Sequence, residues 1–160
     1  MVENTALIIY SFFASLGFGI VFRIEKNSLC FAGLGGALTR CAYLLLLSIT
    51  DKTLIYSLFA AMAAALYAEC MATWKKVPST LFLYPSIIPL VPGELLYNTV
   101  VNFILQDAPK MLYNARECAV RLAGISVGFV LVSTFTYHKR VYYLGINFVN
   151  HLFRRPDKKT

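Results

Sequence analysis

Charged side chains are scarce in this sequence: Asp, Glu, Lys and Arg make up 14% of its 160 residues, where a soluble domain carries about 25%. That scarcity excludes a water-soluble domain, because 58% of the residues are hydrophobic and too little polar surface is left to clothe them. A bilayer removes the requirement by solvating apolar side chains from outside. With a mean hydropathy of +0.63, the composition predicts one membrane bundle with no separate soluble module.

Other absences narrow the class further. No run alternates apolar and polar residues as barrel strands do, so the spans are read as helices. No C-x-x-C pair is present; Cys30, Cys41, Cys70 and Cys118 fall within or at the ends of apolar runs and read as small packing residues. His138 and His151 stand outside any H-x-x-x-H or H-E-x-x-H spacing, and G-x-S-x-G, P-loop and dinucleotide fingerprints are missing. Neither enzyme, cofactor nor metal is therefore expected. Acidic residues are outnumbered 8 to 15 by Lys and Arg, but the basic residues lie between and after the apolar runs. That distribution suits anionic headgroups and not nucleic acid, since no basic helix interleaves with stacking aromatics. Residues 1–5 lack the positive n-region of a signal peptide, so the first apolar run is expected to stay as an anchor.

Five long apolar blocks are present: about Thr5 to Phe22, Ser28 to Ile49, Leu54 to Trp74, Ser79 to Leu105 and Cys118 to Tyr137. Each reaches or approaches the ~20 residues that span ~30 Å of hydrocarbon. The expected fold is an all-α membrane protein, a bundle of about five transmembrane helices over residues 1–143. A basic amphipathic tail at 144–160 is expected to lie along the inner membrane surface. With five spans, the side holding the one-two loop, the three-four loop and the tail carries ten basic residues against at most four opposite. The positive-inside rule makes that side cytoplasmic, with the N-terminus outside and the C-terminus inside. Tyr56, Trp74, Tyr137, Tyr142 and Tyr143 sit near block ends, as interfacial aromatics do. Stripes of small residues mark helix contacts: Ser11, Ser15 and Gly19; Gly33, Gly36 and Ala37; Ala61, Ala64, Ala65 and Ala68; Gly124 and Gly128.

The fourth block is interrupted. Pro85, Pro89, Pro92 and Gly93 fall within nine residues, and each proline removes a backbone donor and clashes with the preceding turn. One half-helix should stop near Val91 and another begin at about Glu94. A broken helix at membrane depth is tolerated where protein or a water-filled cavity meets the freed backbone groups. Its new N-terminus also suits a carboxylate, as in transporters; the bland alternative is a simple kink. Along the second half-helix, Glu94, Asn98 and Asn102 recur every four residues with Tyr97 adjacent, one polar face turned to a cavity or a partner helix. Glu94 is read equally as a solute or proton site and as a first-turn acidic residue. Arg40 lies about twelve residues into the second block, where a charge costs a few kcal/mol. It should face the interior and meet Glu69, Glu94 or a solute carboxylate. Arg116, Glu117 and Arg121 open the fifth block and read as a headgroup-facing cluster.

Gly17-Phe18-Gly19-Ile20-Val21-Phe22, the Gly33-Leu34-Gly35-Gly36 segment leading to Arg40, and Pro85 through Tyr97 together resemble the threonine/serine exporter family. The likeness is to its carboxy-terminal half, a unit also found as a separate small subunit. The resemblance implies a secondary exporter of small hydroxy amino acids or, in a related branch, of dicarboxylates such as succinate. It also implies a separate membrane subunit resembling the amino-terminal half. Expected partners are thus membrane lipids, that subunit, a small carboxylate-bearing solute and, if the chain self-associates, further copies of itself. On the residues themselves, Arg40 with Pro92, Gly93 and Glu94 would bind the carboxylate, and Tyr97, Asn98 and Asn102 would line the route. The rival reading is a non-transporting structural or regulatory subunit.

Overall fold

A computed structural model describes the backbone of residues 2–153 and the side chains of residues 4–136. The last seven tail residues and the side chains of Tyr137, Tyr142 and Tyr143 lie outside the described residues. The described chain is helical: α1 Val2–Val21, α2 Lys26–Ile49, α3 Thr53–Lys75, α4 Thr80–Ile87, a 3-10 turn Ile88–Leu90, α5 Gly93–Ile104 and α6 Ala108–Phe153. Four of these helices are long and apolar enough to cross a membrane, and the bent α4–α5 pair, taken together as one span, is a fifth candidate.

Chain reversals use left-handed residues. Arg23, Lys76 and Gln106 have φ near +55°, and behind each an amide folds back across the helix end: Ile24 to Gly19, Val77 to Ala72 and Asp107 to Asn102. These bonds satisfy carbonyls that a helix end leaves orphaned. The last helix begins about ten residues earlier than the apolar pattern indicates. Pro109 is tolerated in its first turn, and the Asp107 carboxylate accepts from the Lys110 amide at 3.3 Å. The hydrogen bond from the Lys110 side chain holds the Asp107 carboxyl below its ordinary pKa. At 46 residues α6 is ~69 Å long, and its backbone runs past residue 143 without a break.

Neighbouring helices meet along the small-residue stripes. α1 lies on α2 with Ser15 against Gly36 and Gly19 against Leu29, an antiparallel pairing. Tyr67 of α3 donates to the Phe31 carbonyl of α2 at 2.6 Å, while Tyr43 and Tyr56 meet at the other end, so α2 and α3 are antiparallel too. Gly124 faces Leu54 and Gly128 faces Leu58; α3 and α6 therefore run parallel. Parallel neighbours need a crossing between them, and the bent pair supplies it. Ala60, Ala61, Ala64, Ala65, Ala68 and Ala72 of α3 are buried, as the alanine stripe predicts. Large apolar residues such as Phe13, Ile20, Ile49, Phe59, Phe103 and Phe135 are exposed around the bundle, a surface suited to lipid. Three of the cysteines, Cys30, Cys41 and Cys70, share that outer surface; Cys118 alone packs inside.

The break occurs where the prolines place it. Helix persists to Leu90, resumes at Gly93, and the two segments are bent by 49°. Pro89 has no N–H to give the Pro85 carbonyl four residues back. The Ser15 hydroxyl of α1 donates to that carbonyl instead, at 2.8 Å, and Ser15 is completely buried. A hydroxyl from one span thus repairs the backbone of another, as a low-dielectric interior requires. Ser15→Ala should destabilise the bundle by about 1–3 kcal/mol, the cost of an unpaired buried acceptor. Thermal unfolding in a membrane mimetic reads this directly, and a midpoint equal to wild type would remove the repair argument.

Candidate functional site

The site forms where the break meets α2, α3 and α6. Leu90, the last residue of the 3-10 turn, shares one buried cluster with Tyr43, Tyr56, Ala60, Ala61 and Ile125. The rings of Tyr43 and Tyr56 meet edge to face, 5.1 Å apart at 79°, a favoured aromatic geometry. Arg40 precedes Tyr43 by three residues, so the two share a helix face. Its guanidinium carbon lies 5.0 Å from the Tyr43 ring centre, within cation–π range.

A second arginine reaches the same rings from α6. Arg121 stands 5.7 Å from the Tyr43 centroid and 5.8 Å from that of Tyr56, and its Nη2 donates to the Tyr56 hydroxyl at 3.3 Å. One turn earlier, Glu117 accepts from the Thr53 hydroxyl at 2.8 Å. The expected headgroup-facing cluster therefore divides: Arg116 is exposed, whereas Glu117 and Arg121 are half-buried against α3. Both Arg40 and Arg121 keep a buried Nε without a hydrogen-bond partner. Among the described residues the one ion pair is Lys110 with Asp107, far along the chain from both.

Neither protein carboxylate considered for Arg40 meets it. The Tyr43–Tyr56 and Phe31–Tyr67 contacts fix the register of α2 on α3, placing Arg40 at the level of Leu58 and Phe59. Glu69 lies about ten residues, or ~15 Å, further along α3. One Glu69 carboxylate oxygen is itself buried and unpartnered. Glu94 is exposed at the start of α5, a helix that packs on α6 and has no buried residue.

The remaining sequence-derived positions distribute around the break. Pro92 is buried and precedes the first turn of α5, with no side chain capping that helix. A side chain built at Gly93 would meet nothing within 4 Å, so the half-helix N-terminus opens outward. Tyr97 is 69% exposed, and Asn98 and Asn102 are half-buried. Thus Arg40 is linked to the break through the cluster of Tyr43 and Leu90, while of the polar residues of α5 Glu94 and Tyr97 are exposed and Asn98 and Asn102 half-buried. Tyr43, Tyr56 and Arg121 were missed in the sequence, although Tyr43 stands one turn from Arg40 and could have been found by that spacing. A shallow apolar cavity of about 210 Å³, lined by Phe22, Thr80, Leu81 and Tyr84, lies where α1 ends beside α4; it holds no charged side chain.

The family model described as "Threonine/Serine exporter, ThrE" matches residues 7–135, a stretch that holds every residue of this site. No curated protein and no solved structure matches.

Proposed function

The chain belongs to the threonine/serine exporter family, and on that premise we propose that it is one subunit of a secondary exporter carrying a small carboxylate-bearing solute out across the cell membrane. Threonine and serine are the first candidates, and a dicarboxylate such as succinate is the second. The observation that carries the reading is Arg40, a mid-span cation with a buried, unpartnered Nε beside a broken helix. A permanent charge at that depth is unfavourable unless it meets an anion, and a transported carboxylate is an anion that comes and goes. The open N-terminus of α5 at Pro92, Gly93 and Glu94 offers further N–H donors to such a group. An ion gradient drives the solute outward.

The exposed Glu94 and Tyr97, with the half-buried Asn98 and Asn102 beside them, support a two-subunit arrangement. Polar side chains at membrane depth need a protein or water neighbour. A second membrane subunit, resembling the family's amino-terminal half, would form the other wall of the route along α5. The basic-residue count favours an outside N-terminus and a cytoplasmic C-terminus. The same α5 face supports one other reading, a structural subunit that only contacts its partner there.

Efflux of labelled threonine, serine and succinate from vesicles, with and without the partner, tests the proposal. Export of one solute that requires both chains is the expected result. In that assay Glu94→Ala should slow efflux about tenfold, the cost of one lost charged contact. No export of any of the three with both chains present would leave the structural-subunit reading standing.

A further inference from the structure

We infer that Arg40 and Arg121 form a single two-cation anion site across Tyr43, in which Arg121 is a second solute-binding group and Tyr56 positions it. The inference takes from the exporter reading only the identity of the anion as a transported carboxylate. Its geometry is independent of that reading.

Both guanidiniums face one ring, at 5.0 and 5.7 Å from its centre. Their charges therefore lie at most about 11 Å apart, the sum of those distances, in an apolar bundle where charges are weakly screened. Two such cations repel unless an anion joins them. The obvious internal anion is turned away. Glu117 stands four residues before Arg121, the spacing of a helix ion pair, yet it accepts from Thr53 and forms no ion pair with Arg121. Arg121 leans to the Tyr56 hydroxyl, a neutral acceptor that fixes its direction and leaves its charge uncompensated.

The tyrosine rings lie within cation–π range of both guanidiniums. A planar carboxylate binds at the edge of the fork. Each arginine keeps its Nε, an edge donor, buried and free of any acceptor. Leu90 belongs to the same buried cluster as the two rings, so the broken span forms part of the site's wall. The ligand chemistry is an oxyanion with two acceptor oxygens, which a soluble carboxylate or an anionic lipid headgroup can supply. A site walled by three spans and the break favours the soluble carboxylate.

The full chain, purified in nanodiscs of neutral phosphatidylcholine, is titrated with acetate, succinate and L-threonine by calorimetry. The same titrations are repeated in nanodiscs containing phosphatidylglycerol. Wild type should bind at least one carboxylate in neutral lipid. Arg40→Gln and Arg121→Gln should each weaken it at least tenfold, Arg121→Lys should restore part of the loss, and Tyr56→Phe should weaken binding severalfold. Without ligand, Arg121→Gln should unfold at or above the wild-type temperature, because it removes a repelling charge. A merely structural arginine would give a lower midpoint. Binding within twofold of wild type in Arg121→Gln overturns the inference, as does the absence of carboxylate binding in neutral lipid or arginine effects confined to phosphatidylglycerol. If binding behaves as stated but vesicles export nothing, the exporter reading alone fails. If export proceeds and Arg121→Gln keeps its KM, this inference alone fails.

Discussion

Arg40→Gln should lower carboxylate efflux by about 10- to 100-fold while the chain remains folded. That range corresponds to a charge-assisted contact of ~1.5–3 kcal/mol at 1.4 kcal/mol per tenfold. The small structural cost follows from what Arg40 touches. It has no ion pair to lose, since the one such pair among the described residues is Lys110 with Asp107. Its contact with the Tyr43 ring at 5.0 Å is worth about 0.5–2 kcal/mol, offset by the release of a cation from the apolar interior. Arg40→Lys keeps the charge but loses the fork that grips two oxygens, and its efflux should fall between the two. Initial rates from vesicles carrying equal amounts of folded protein decide the matter. Wild-type efflux from Arg40→Gln would sink the site assignment and leave family membership untouched.

The broken span unites these features because each proline creates a polar debt inside an apolar bundle. Pro89 leaves the Pro85 carbonyl without its helical donor, and Ser15 from α1 meets it. Pro92 cannot continue the ladder, and the Val91 amide closes a tighter bond to Ile88 at 3.2 Å. Beyond it α5 starts with no side-chain cap. The Gly93 amide returns to the Val91 carbonyl at 2.8 Å and the Leu96 amide to that of Pro92 at 3.1 Å, so the break closes much of its own backbone bonding.

Much of the architecture was legible in the sequence because lipid simplifies the reading. A span is long, apolar and ended by charge, so the first three blocks agree with α1, α2 and α3 to within a few residues. Prolines have no alternative way to act, so the break at Val91 and Pro92 was legible to about one residue. Small-residue stripes predicted contacts that the helices make, since a bundle without hydrophobic drive depends on close approach. The start of α6 was not legible, because Pro109 and Lys110 look like a loop until Asp107 is seen capping the helix. Nor was the partner of Arg40. Apolar pattern gives each helix a face but not a register, and register alone decides that Arg40 stands at the level of Phe59, far from Glu69. The contact of Arg121 was not legible for the same reason: near a block end a cation reads as interfacial, and only the parallel packing of α6 on α3 brings it to Tyr56.

Gly128→Leu should be strongly damaging although it lies outside the site, because it separates the two parallel spans that hold it. At Gly128 an added Cβ would press on the Leu58 carbonyl oxygen and stand 3.1 Å from the Ala61 side chain; at Gly124 it would lie 2.8 Å from the Leu54 oxygen. Backbone cannot yield as a flexible side chain does, so α6 must move away from α3. In lipid no hydrophobic gain rewards a looser packing, and the expected loss is at least about 3 kcal/mol, at or beyond the usual range of overpacking. The Arg121–Tyr56 bond lies within two turns of this contact, so solute binding should fail along with stability. Gly128→Ala should show the same effects in weaker form. Gly17 provides the contrast: a side chain there would meet nothing within 4 Å, and Gly17→Ala in the middle of α1 should be neutral or stabilise by about 0.5–1 kcal/mol. Monodispersity and unfolding temperature in a membrane mimetic separate the two glycines. A Gly128→Leu chain as stable as wild type would mean that α3 and α6 do not pack along this line, and the inward position of Arg121 would fall with it.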